Sequence, residues 1–111
     1  MDEEHRKAYQ DRFKARIAEW EAKLEGLSAR ARRAEADLRI KLQDEESELR
    51  KKLDDARARL KELQAASEDG WEDIRTGAEK LWGDLREAWD RTSRKAQGED
   101  DPPTSGTAPG G

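Results

Sequence analysis

The sequence predicts an all-α protein: a long coiled-coil helix, a shorter amphipathic helix folded back on it as an antiparallel helical hairpin, and a disordered C-terminal tail. Three observations lead there. Apolar side chains recur at steps of three and four over most of the chain, the spacing of a helical stripe. The composition is dominated by Ala, Leu, Glu, Lys and Arg, all strong helix formers. Residues that favour strands are scarce, with three isoleucines, one phenylalanine and no valine.

The long helix is expected over residues 3–66. No proline falls there, and its one glycine, Gly26, costs about 1 kcal/mol relative to alanine. Phe13, Ile17, Trp20, Leu24, Leu27, Ala31, Ala34 and Leu38 form a heptad stripe. The step from Leu38 to Leu42 is a second four in succession, read as a stutter that unwinds the supercoil without breaking the helix. The stripe resumes through Glu46, Leu49, Leu53, Ala56, Leu60 and Leu63, leaving Ile40 on the far side. Acid-to-base pairs four residues apart, such as Glu19–Lys23, Glu35–Arg39 and Glu46–Arg50, support a solvated helix face. A continuous rod of this length would reach roughly 95 Å at 1.5 Å per residue and have no core of its own.

Near Ser67–Gly70 the stripe loses phase, and Asp69 with Glu72 has capping-box spacing. A second helix is therefore expected over 70–96, beginning at a hinge near Gly70. It carries an 11-residue repeat: Trp71/Trp82, Asp73/Asp84 and Arg75/Arg86 are identical at that offset, and Ile74 matches Leu85. Eleven residues are almost three helical turns, so equivalent positions share a face. Trp71, Ile74, Ala78, Leu81, Trp82, Leu85 and Trp89 make that face apolar. Hairpin pairing sets Ile74 near Leu63, Ala78 near Leu60, Leu85 near Leu53 and Trp89 near Leu49. The stripe from Phe13 to Leu38 would then remain uncovered, which predicts a homo-oligomer or a helical protein partner. Residues 98–111, holding all three prolines, are expected to be disordered.

Nothing in the sequence points to catalysis. His5 is the only histidine and sits near the first residues, Ser28, Ser47, Ser67 and Ser93 have no His/Asp arrangement, and there is no glycine-rich phosphate loop. With no cysteine and no convergent carboxylates, neither a metal nor a cofactor is expected; Asp44, Glu45, Glu46 and Glu48 point in different directions on a helix. The net charge of −4 argues against nucleic-acid binding. The first residues lack an apolar core, so a cytoplasmic location is expected. Candidate interaction residues are Phe13, Ile17, Trp20, Leu24, Leu27, Leu38, Trp71, Ile74, Leu81, Trp82, Leu85 and Trp89.

The stretches Leu60-Lys-Glu-Leu-Gln-Ala-Ala-Ser67, Trp71-Glu-Asp-Ile-Arg-Thr-Gly77 and Glu19-Trp20-Glu-Ala-Lys-Leu24 resemble small bacterial coiled-coil proteins of the stress response. In repeat style they are similar to the amphipathic repeats of apolipoproteins and of desiccation-protective proteins. The resemblance implies a bacterial source and a link to stress; with the apolar seams as contact surfaces, the expected function is that of a non-enzymatic helical interaction protein. Two alternatives accompany it. One is peripheral binding to a membrane surface through the Trp-rich helix, although residues 71–95 hold six acids and six bases and offer no net pull toward anionic lipid. The other is a conditionally folded protectant.

Overall fold

Three helices carry the residues 3–96 that the computed structural model describes: α1 (Glu3–Arg33), α2 (Ala36–Ala65) and α3 (Glu68–Ala96). They form an up-down-up bundle with α2 in the middle, so α1 and α3 run parallel. Among the described residues there is no strand. The tail expected over 98–111 lies outside them.

The helix expected over 3–66 is two helices. Glu35 takes an extended conformation (φ −67°, ψ 168°) and caps α2, its carboxylate accepting the Leu38 amide at 3.2 Å. The α1 end is closed by a bond of 3.2 Å from the Ala34 amide to the Ala31 carbonyl, and the Arg39 guanidinium donates to the Ala34 carbonyl at 3.1 Å. The Leu38–Leu42 step is thus where the stripe resets after a turn. The turn lacks glycine and proline, so local preference does not make it. Burial does. Folding back at 34–35 lets the two halves of one stripe cover each other, and each fully buried leucine contributes about 1.5–3 kcal/mol.

The second boundary also falls elsewhere than expected. Ala66 leaves the helix (φ −72°, ψ 145°), and α3 begins at Glu68 rather than Gly70. Its cap is Ser67, not Asp69: the Ser67 hydroxyl accepts the Gly70 amide at 3.4 Å and its carbonyl the Trp71 amide at 3.1 Å. Gly70 lies inside the helix, where an added Cβ would make only ordinary contact with Ser67.

One core runs through all three helices. It takes Phe13, Ile17, Leu24, Leu27 and Ala31 from α1, Leu42, Leu49, Leu53, Ala56 and Leu63 from α2, and Trp71, Ala78, Trp82, Leu85 and Ala88 from α3. The α1 stripe, expected to lie bare, is therefore covered within the chain, so no second copy is needed to hide it from water. Ile40 remains 58% exposed, as its position off the stripe requires.

The α2/α3 pairing is antiparallel. Gly77 lies beside the Arg59 guanidinium, where an added Cβ would be 3.6 Å away. Toward the end of α3, Lys95 Nζ and the Thr92 hydroxyl donate to Glu45 of α2 at 2.5 Å and 3.1 Å. Burial alone would raise the Glu45 carboxyl, but Lys95, Thr92 and Arg91 together hold it below the ordinary glutamate range. Between α1 and α2, Arg57 bonds Glu21 at 2.5 Å. Arg50 pairs with Glu46 at 2.8 Å as its spacing suggests, which places the one charged stripe position in a partly exposed ion pair instead of in the core.

Candidate interaction face along the α1/α3 seam

All six aromatic residues of the chain belong to α1 or α3, and α2 meets them with leucine and alanine. No Cα of α1 comes within 8 Å of one of α3, so the two helices touch through long side chains. Tyr9 meets Trp71 (centroids 5.3 Å, planes at 74°), Phe13 meets Trp82 (4.9 Å, 60°) and Trp20 meets Trp89 (5.8 Å, 83°). These tilted and edge-to-face geometries suit the ring quadrupoles. Sequence spacing makes the seam possible. Steps of four and seven in α1, and of eleven and seven in α3, keep each set on one face.

Cations cover the outer side of this ladder. Arg6 lies over Trp71 at 5.6 Å, Arg12 over Tyr9 at 6.0 Å and Arg16 over Trp82 at 5.5 Å. Lys23 lies over both Trp20 (4.9 Å) and Trp89 (5.4 Å). Each such contact is worth about 0.5–1 kcal/mol where water reaches it. Arg6 also donates to the Ala66 carbonyl at 2.8 Å, tying the start of α1 to the α2–α3 turn. The Tyr9 hydroxyl donates to Glu79 at 2.5 Å, and Arg16 approaches the same carboxylate at 3.9 Å. Burial and the Glu79 charge push the Tyr9 phenol well above its ordinary range. The indole N–H groups of Trp71 and Trp82 are buried with no acceptor among the described residues.

Three niches follow one another along the seam. The first, about 210 Å³, lies among Arg12, Arg16, Arg75, Glu79 and Trp82. The second, about 310 Å³, has Arg16, Glu19, Trp20, Arg86, Trp89 and Asp90. The third, about 380 Å³, is formed by Lys23, Gly26, Arg30, Arg33, Trp89 and the hydroxyl residues Thr92 and Ser93, with no carboxylate in its wall. The groove between α2 and α3 is different: Asp55, Glu62 and Asp84 outnumber Arg59 and Lys80. The overall charge of −4 thus conceals a local basic stretch: the third niche sets Lys23, Arg30 and Arg33 together, and the first sets Arg12, Arg16 and Arg75 against Glu79.

Most of the residues expected to meet a partner face inward. Phe13, Ile17, Leu24, Leu27, Trp71, Trp82 and Leu85 are buried, and Trp20, Leu38, Ile74, Leu81 and Trp89 are partly so. The residues that face water along the seam are charged: Arg12, Arg16, Lys23 and Arg86, with Glu19, Glu79 and Asp90 among them. A sequence signal for the α1 cations existed: Tyr9, Phe13 and Trp20 are each followed three residues later by a base (Arg12, Arg16, Lys23). Three residues is a same-face helical spacing. Lys23, whose spacing from Glu19 suggests an ion pair, lies over the two indoles.

Among the described residues no group of three or more His, Cys, Asp or Glu is placed to hold a metal ion, and no helix is long and apolar enough to cross a membrane. The fold defines an all-α three-helix bundle whose distinguishing feature is a cation-covered aromatic seam. Compared with known proteins, the chain matches no family model, no curated protein and no solved structure at a significant level.

Proposed function

We propose that this chain is a non-enzymatic helical interaction module whose contact surface is the cation-covered α1/α3 seam. The observation that carries the reading is local charge segregation: the third niche of the seam gathers Lys23, Arg30 and Arg33 with no carboxylate in its wall, on a chain of net charge −4. Uniform charge mixing would serve solubility as well, so a cluster of one sign calls for another explanation. A role in the bacterial stress response is what the resemblance of residues 60–67 and 71–77 implies, and it enters on that ground alone. A photoreactive residue placed at position 12, on the seam, and in a second variant at position 55, on the α2/α3 groove, tests the surface. Adducts specific to position 12 in cells are expected; the same adducts from both positions would remove the reading.

A second reading, lipid-surface binding, has one observation in its favour. The buried N–H groups of Trp71 and Trp82 lack acceptors within the bundle, and lipid headgroups would supply them. Opening the bundle would release α3, whose apolar face is now spent on α1 and α2. Vesicle flotation with a blue shift of tryptophan emission tests it, and no shift on neutral or anionic vesicles excludes it. A protectant that folds only on drying receives no such support. Strong helical dichroism with cooperative melting in dilute buffer is expected instead.

A further inference from the structure

We propose that the α1/α3 seam is a docking groove for an acidic, extended polypeptide segment of a partner protein. This rests on the reading of that face as the contact surface and adds the chemistry of what it contacts.

Charge complementarity comes first. The wall of the third niche holds cations and hydroxyls without a carboxylate, and Arg12, Arg16 and Lys23 continue the basic line along α1. Glu79 in the first niche and Glu19 and Asp90 in the second offset part of this charge, so a chain bearing carboxylates gains most at the third niche, where no wall carboxylate opposes it.

The state of the ring faces then selects among anions. A single-stranded nucleic acid binds basic grooves by stacking bases on bare aromatic faces. Here Arg16 covers Trp82, and Lys23 covers Trp20 and Trp89, so those faces are taken. A guanidinium's planar fork matches a carboxylate in two parallel bonds.

Spacing gives the segment its pattern. Arg12 to Arg16 is about 6 Å along α1, and Arg16 to Lys23 about 10 Å, at 1.5 Å per residue. An extended chain advances about 3.3 Å per residue, so these gaps correspond to roughly two and three residues. The segment therefore carries acids at its first, third and sixth positions. Arg33 lies about 15 Å beyond Lys23, which calls for a further acid four or five residues on.

Gly26 provides a steric control that leaves charge untouched. It lines the third niche, and a Cβ added there would meet nothing within 4 Å. A bulky side chain at this position enters the niche without disturbing the core.

The test uses the full chain and a fluorescent peptide with Glu at positions 1, 3, 6 and 10 in a Gly/Ser background, followed by anisotropy. We expect saturable, salt-sensitive binding, weakened at least tenfold in the double variant R12E/K23E and in G26F, with helical dichroism retained in both. A peptide with Lys in place of each Glu should not bind. Equal binding by wild type and both variants overturns the proposal. If the peptide fails but an RNA oligonucleotide or phosphatidylglycerol vesicles bind in a Lys23-dependent way, the contact surface stands and the acidic segment does not. If nothing binds, both fall. If E99Q/D100N/D101N raises peptide affinity more than tenfold, the occupant is the chain's own acidic stretch, and the assignment to a partner is overturned.

Discussion

The indole of Trp20 meets that of Trp89 edge to face, with centroids 5.8 Å apart and planes at 83°, beneath the ammonium of Lys23. This pair closes the outer part of a seam whose inner part is Phe13 on Trp82. The contrast between them sets a first expectation. Trp82 is 3% exposed, whereas Trp89 is only partly buried. Trp82→Ala should cost about 3–5 kcal/mol, since it empties a site that helix backbones held apart cannot easily fill. Trp89→Ala should cost clearly less. Urea unfolding followed by dichroism ranks the two, and equal losses would contradict the layered seam.

The cap of α3 separates two residues that sequence spacing alone confuses. Ser67→Ala should lower stability by about 1 kcal/mol, because it removes the acceptor for the Gly70 amide. Asp69→Ala loses only a favourable charge in the first turn, about 0.3–1 kcal/mol. Thermal melts of the two variants under one buffer condition test the order.

Glu35 holds a turn that the neighbouring residues do not favour. Ala31 to Leu38 contains neither glycine nor proline, so removing the cap tilts the segment toward continuous helix. Glu35→Ala should therefore populate an extended dimer in which α1 of one copy packs on α2 and α3 of another, a domain swap. Sedimentation velocity should show a concentration-dependent, more asymmetric species. A compact monomer with unchanged frictional ratio would count against the turn's dependence on Glu35.

Acid should act through Glu45. Its folded pKa lies below the ordinary 4.5, so the carboxylate's contribution is complete above that value and is lost as pH falls through the lowered folded value. Glu45→Gln should be less stable than wild type by about 1.5 kcal/mol at neutral pH, the scale of a hydrogen bond to a charged group. The gap should close in acid. Denaturant midpoints measured across pH give the comparison, and a gap that persists below the folded pKa would reject it.

Alkali should act through Tyr9, in the opposite sense. Its folded pKa is raised above the ordinary 10.0, so its contribution is complete below that pH and is lost as pH rises further. The unfolded chain ionises first. Tyr9→Phe should flatten the alkaline fall in stability, and tyrosinate absorbance of the wild type should develop together with unfolding.

How much of this was legible in advance depends on the distance over which each cause acts. The α3 face was readable because Trp71, Ala78, Trp82 and Leu85 lie on one side of a single helix, a relation within 15 residues. Thr92 was missed: a buried threonine does not register as apolar, yet it sits between the Glu45 carboxylate at 3.1 Å and the Ala88 carbonyl at 3.0 Å. The cap at Glu35 was missed because glutamate is not among the favoured capping residues. The run Arg30, Arg32, Arg33 before it, with Asp37 after it, does carry the charge signs of a helix end and a helix start.

The basic seam was hidden for another reason. A net charge of −4 is a sum over the chain, and a sum carries no information about which side a charge occupies. Only the parallel placement of α1 and α3 brings Arg12, Arg16 and Lys23 alongside Arg75 and Arg86.

The order of residues by itself determined the helical state and which apolar side chains leave water, since both follow from propensity and a period of 3.6 within each helix. It did not decide where the rod folds or what gathers between α1 and α3. Those were decided by the tertiary structure, because at Ala34–Glu35 the local preference for helix is a few tenths of a kcal/mol per residue, and covering a stripe of leucines outweighs it.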